Sequence, residues 1–168
     1  MKTTLRLPAS FALACMLLLA AGAASAQDNK KGPKLTATSI QVLMVTSDEV
    51  QLPMAFQVAL YENLIEQIQK SGKFQHVYRD GDKAAAGASD LVVLHSNVTG
   101  FKQGSEEKRQ VTTVAGATHI TVHCTFADSS GKSELEQDVK GNVYFIGGNL
   151  RATYDFAKKV GQIVTEHF

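Results

Sequence analysis

HITVHCTF, residues 119–126, sets two histidines and a cysteine within six positions, and its reading decides the fold. Threonine and valine at this density, in strict alternation with larger apolar residues, favour a pleated strand. Successive strand side chains leave on opposite faces. Ile120, Val122, Cys124 and Phe126 therefore share one face, and His119, Thr121, His123 and Thr125 the other. Four residues of strand hold the two imidazoles roughly 13 Å apart, while zinc takes its nitrogens at about 2.0–2.1 Å. On a helix the same spacing would chelate; on a strand it cannot. The stretch is expected to be a core cysteine beneath a polar sheet face. A thiol packed among Ile120, Val122 and Phe126 is expected to be hard to ionise and inert, unless His76, His95 or His167 reaches it from elsewhere.

Around that strand the alternation of periods gives the rest of the domain. "VTTVAGATHITVHCTFAD" extends it backwards to Val111, with Gly116 a bend, and "SSGK" turns the chain into a returning strand, "SELEQDVKGNVYFIG", weakly alternating as befits an edge. Upstream, "DLVVLHSNVTGFKQ" and "TATSIQVLMVTSD" carry apolar residues on both faces, which suits interior strands, and "FQHVYR" is a short one. Between them Val58, Tyr61, Leu64, Ile65 and Ile68 recur at three and four residues, a helix opened by Pro53 and closed at Ser71-Gly72, with Glu62, Asn63, Glu66 and Gln69 outside. Leu150, Tyr154, Ala157, Val160, Ile163 and Val164 mark a second helix, for which Asn149 is a suitable N-cap. "GSEEKRQ" reads as a charged, self-neutralising loop. The order strand, helix, four strands, helix predicts an α+β two-layer sandwich, a mainly antiparallel five-stranded sheet with both helices on one face.

The ends fix the setting. Lys2 and Arg6, an apolar run from Phe11 to Ala21, and Ala24-Ser25-Ala26 form a Sec-type signal peptide cleaved after Ala26. The run is too short and alanine-rich for a membrane span of ~20 residues. Cys15 lies in a weak lipobox, with the most hydrophobic segment following it, so lipidation there is not expected. Residues 27–38 are read as a disordered leader and 39–168 as one domain. Cleavage leaves 142 residues with 15 basic and 16 acidic side chains, a net charge of −1, which gives no general attraction to nucleic acid or anionic lipid. Cys124 is then the only cysteine, so no intramolecular disulfide can form and an apolar core must supply stability.

Other candidate chemistries are weaker. Asp80, Asp82 and Asp90 share a loop but lack the ordered ligands, glycine and closing glutamate of a calcium loop. "IGGN" before the last helix could meet an anion, yet no Lys-Ser/Thr follows to make a phosphate loop. Asn97-Val98-Thr99 is a glycosylation triplet inside an expected strand. No serine sits in a nucleophile elbow and no carboxylate pair stands out. The expectation is a chain with no catalytic, cofactor-binding or metal-ligating residue: an exported, periplasmic or secreted, non-catalytic module that binds another envelope protein. A carrier of a small apolar or anionic ligand is the alternative.

Several phrases carry a resemblance: "LIEQIQKSGKFQHVYRD", "ASDLVVLHSNVTGFKQG", "ITVHCTFADSSGKSELEQDVKG" and "YDFAKKVGQIV". Together they resemble a domain-of-unknown-function family of small exported bacterial envelope proteins and lipoproteins (DUF4410-like), over nearly the whole mature chain. The layout is also similar to the TolB N-terminal domain and to the periplasmic part of the curli secretion channel. These resemblances imply an α+β fold used for protein contacts, with no catalytic residue to carry over.

Overall fold

A computed structural model describes residues 34–112 and 115–168. The expected signal peptide, Cys15 and most of the expected leader lie outside them. Five strands, β1 (Ser39–Val42), β2 (His76–Arg79), β3 (Leu91–Lys102), β4 (Thr118–Asp128) and β5 (Ser133–Val143), form one sheet in the order β2-β1-β3-β4-β5. The helices are α1 (Met54–Ser71), α2 (Glu106–Val111) and α3 (Arg151–His167), with a 3-10 turn at Lys83–Gly87. The expected five strands and two long helices follow in the expected order, with α2 added between β3 and β4. The sheet is mixed: β1 pairs with β2 and β3 in parallel, over four residues each, and the longer β3–β4 and β4–β5 ladders are antiparallel. The parallel pairings follow from the connections. α1 carries the chain across between β1 and β2, a crossover that a tight turn cannot make.

Alternation in β4 is as read, with every second residue buried from Thr118 to Phe126. Ile120, Val122, Cys124 and Phe126 enter the core with Ile40, Val42 and Leu94 from the neighbouring strands and Leu60, Leu64, Ile68, Phe156 and Val160 from the helices. α1 and α3 cover that face side by side. α1 begins beyond Pro53, whose carbonyl receives the N–H groups of Phe56 and Gln57, and ends at Gly72 with φ 64°, a left-handed conformation that glycine adopts without a Cβ clash.

Several expectations are corrected. In α1, Phe56 and Leu60 are buried while Val58 is 47% exposed, because the helix is rotated towards α3. Asn63, expected outside, donates to the Thr153 hydroxyl of α3 at 2.8 Å. In α3 the buried stripe runs through Ala152, Thr153, Phe156, Ala157, Val160, Ile163 and Val164, and Leu150 and Tyr154 face solvent. Asn149 does not cap α3. Its side chain instead accepts from Thr118 and donates to Gly104. The charged "loop" is helix α2, capped by Ser105 with Glu106 and Glu107 in its first turn, the arrangement that complements the helix dipole. Of the expected leader, Leu35 donates to the His167 carbonyl at 2.7 Å and Ala37 packs on the core, so the ordered domain begins before Ser39. Among the described residues, no helix is long and apolar enough to cross a membrane.

Candidate functional site

Helices cover only one side of the sheet. On the other, β3 presents His95 and Asn97, β4 presents His119, Thr121, His123 and Thr125, and β5 presents Glu136, Asp138, Lys140 and Asn142. Register brings together side chains that spacing alone could not relate. His123 lies opposite Asp138, and its Nδ1 is 2.8 Å from the carboxylate. His119 lies opposite Asn142, Nδ1 to Oδ1 at 2.7 Å, with its ring edge-on to Tyr144 at 5.4 Å. Each imidazole is thus oriented by its own cross-strand neighbour. The His123–Asp138 pair is wet, the side chains 41% and 65% exposed, so screening leaves it little net energy.

Next to this row is a hollow of about 290 Å³ lined by Met44, Thr46, Asp80, His95, Asn97 and His123. Most of its polar groups have partners already. Asp80 accepts the Met44 N–H at 3.0 Å, and Asn97 accepts from the Thr46 hydroxyl at 3.1 Å. Asp82 accepts the Ala84 N–H instead, so Asp80 and Asp82 each hold a different backbone N–H. Among the described residues no three His, Cys, Asp or Glu side chains group closely enough to hold a metal ion.

Cys124 is on the far side of the sheet, fully buried. Burial pushes its thiol up to about 12, opposed by the cross-strand Ser96 hydroxyl and helped by the charge of Asp138. None of the distant histidines reaches it as a base. His76 stacks on Tyr78 at the β2 edge, His95 is on the open face, and His167 ends α3.

A second surface was not legible beforehand. The strand expected to run to Gly147 ends at Val143, and Tyr144, Phe145 and Ile146 step into solvent, Phe145 62% and Ile146 86% exposed. The cause is a latch from α2. Arg109, 6% exposed, donates to the carbonyls of Gly116 at 2.6 Å and Gly147 at 2.8 Å, and Glu106 accepts the Asn149 N–H. Among the described residues no carboxylate pairs with Arg109. The latch holds the 144–148 segment off the sheet and beside α3, where Tyr144, Phe145, Ile146, Arg151, Tyr154 and Lys158 border a groove of about 490 Å³. The unbroken apolar run Tyr144-Phe145-Ile146, which abandons the alternation of the strand before it, was the available signal.

No family model matches the chain, and no curated protein matches it. Solved structures do. PelC from Paraburkholderia phytofirmans, a dodecamer in two crystal forms, is similar with a TM-score of 0.58 in each. In one form identity is 14% over 79% of this chain and 92% of PelC. In the other it is 15% over 77% and 88%. A DUF330 protein from Xanthomonas campestris is 14% identical over 80% of this chain and 83% of its own, with a TM-score of 0.48. The likeness to PelC is one of fold. The family suggested by the short phrases has no matching model behind it, and the shared α+β fold is what stands.

Proposed function

We propose that this chain is an exported, non-catalytic contact module of the bacterial envelope, which holds another protein through the uncovered side of its sheet. One observation carries the reading: a five-stranded sheet with helices on one side only, whose other side is polar and holds two histidines against cross-strand partners. Histidines oriented by Asn142 and Asp138 on an exposed ladder make a recognition surface, with many directional groups and little enclosed volume. The one thiol in the domain is out of reach and protonated. The signal sequence and the resemblance to exported envelope proteins support the location, and the fold of PelC, an assembled protein, supports a role in assembly.

A photo-crosslinking residue in place of Thr121 or Lys140, in cells, tests this against one in place of Gln69 on the outer side of α1. Discrete adducts from the first two alone are expected; equal smears from all three would remove the reading. Sequencing the exported protein from its N-terminus should return Gln27, and protein retained in the cytoplasm with Met1 would reject export.

The groove at Tyr144, Phe145, Ile146 and Tyr154 favours a second reading, carriage of an amphipathic anion, because Arg151 and Lys158 border its apolar wall. Native mass spectrometry of protein taken from its own compartment separates the two: a carrier keeps bound mass, and a contact module does not.

A further inference from the structure

The sheet has two edges, and they are finished differently. β2 is four residues long. β5 is eleven residues long, and nothing pairs with its outer side in the strand order. An edge of that length presents a row of N–H and C=O groups that can receive another strand. Its upper part is plugged from within. The Asn142 N–H donates to the Asp155 carboxylate at 2.9 Å, and the Lys140 carbonyl accepts from Lys159 Nζ at 2.7 Å. Asp155 and Lys159, one turn apart on α3 and paired with each other at 2.8 Å, thus imitate the acceptor and donor of an absent neighbouring strand. In an antiparallel ladder the N–H and C=O of a residue point the same way, and alternate residues point alike. Those of Glu136 and Asp138 therefore face outwards with those of Lys140 and Asn142. Among the described residues no side chain bonds them. The plug stops halfway down the strand.

The unplugged part has a definite chemistry. Glu136 and Asp138 are exposed on the open face at this edge, and Glu134 is at the bulge below them. Lys132 forms an ion pair with Glu134 and His123 Nδ1 lies against Asp138, while Glu136 has no ion pair among the described residues. A second β5 laid against this one would set acids opposite acids, which destabilises a cross-strand pair. We propose that the Glu134–Asp138 edge of β5 receives an extended segment of a partner protein with lysine or arginine at alternate positions, added as a sixth strand. This rests on the contact-module reading and names the partner's chemistry. Main-chain hydrogen bonds supply the affinity and the alternate basic side chains the selection. Asp155 and Lys159 set the length of the site, keeping the incoming strand off the upper half.

The probe is a seven-residue peptide alternating lysine and valine, titrated into the full mature protein and followed by amide chemical shifts. The expected result is perturbation centred on Glu134–Asp138, weakened by added salt and absent with a glutamate–valine peptide. Glu136→Pro removes an outward N–H together with one of the selecting carboxylates, a change an edge strand tolerates, and should weaken binding by about tenfold or more. Glu136→Lys with Asp138→Lys should invert the preference between the two peptides, and does not depend on the proline variant folding. Asp155→Ala with Lys159→Ala should extend the perturbed amides to Lys140 and Asn142. Equal binding of both peptides, or shifts centred away from β5, would overturn the proposal. If that happens while Thr121 and Lys140 still crosslink discretely in cells, the contact-module reading survives and the edge does not. Loss of both results removes the module itself.

Discussion

Cys124 shows how a single residue can be chemically silent and still govern stability. Its thiol has an ordinary value of 9.0, and in the core is pushed up to about 12 because the thiolate would lose its hydration. Between those values the unfolded chain has lost the proton and the folded chain keeps it. Stability from this group is therefore fully present below pH 9 and falls as pH rises towards 12, by about 1.4 kcal/mol per unit inside the window. Urea unfolding of the native chain and of Cys124→Ala at pH 8 and at pH 10.5 checks it: the gap between the two should narrow or reverse at the higher pH. Comparing them cancels the lysines and tyrosines that titrate in both. Folded protein should also resist thiol reagents until it opens. Arg109 is the opposite case, a charge in an apparently ordinary "EEKR" run that turns out to be buried. Arg109→Met keeps much of the stem but leaves the Gly116 and Gly147 carbonyls without their donor. A loss of about 2–4 kcal/mol is expected in chemical denaturation. Arg109→Lys should recover only part of it, since an ammonium cannot span both carbonyls as the guanidinium fork does.

Among the elements, β5 and α3 meet in close backbone contact at one glycine. A Cβ on Gly141 would sit 2.1 Å from the Ala152 carbonyl oxygen and 2.7 Å from Phe156 Cβ. The helix backbone must move for it to fit. Gly141→Ala should therefore cost about 2–3 kcal/mol, while Gly87→Ala, where a Cβ meets nothing within 4 Å, should stay within about 0.5 kcal/mol of the native chain. Calorimetry of the two variants reads the difference. The approach of helix to edge strand that this glycine permits is also what lets Asp155 and Lys159 reach the backbone of β5. The elements themselves were largely legible. β4 and α1 have unmistakable periods, and the hydrophobic effect enforces them locally. α2 was missed because six residues carry no periodic signal, and only the Ser105 cap and the order acids-then-bases could have revealed it.

At the scale of the molecule, the base of the domain is closed by its own termini. Phe168 packs against Phe74 and Phe126 at 5.1 and 5.7 Å between ring centroids, and Leu35 donates to the His167 carbonyl. A chain beginning at Ser39 loses the Leu35 bond, the Ala37 packing and the Thr38 hydroxyl bond to Ser89, and should melt below a chain beginning at Lys34 by about 1–3 kcal/mol in urea. The sequence by itself determined the strand parity of 119–126, the burial of Cys124, the two long helices and the α+β class. These follow from side-chain period and composition, which act within a few residues. Tertiary structure alone decided that His123 meets Asp138, that His119 meets Asn142, that Arg109 latches the 144–148 segment, and that half of the β5 edge is plugged. Those depend on strand register and on how far a helix lies from an edge. Residues tens of positions apart, 38 between Arg109 and Gly147, set such distances jointly, and no local pattern encodes them.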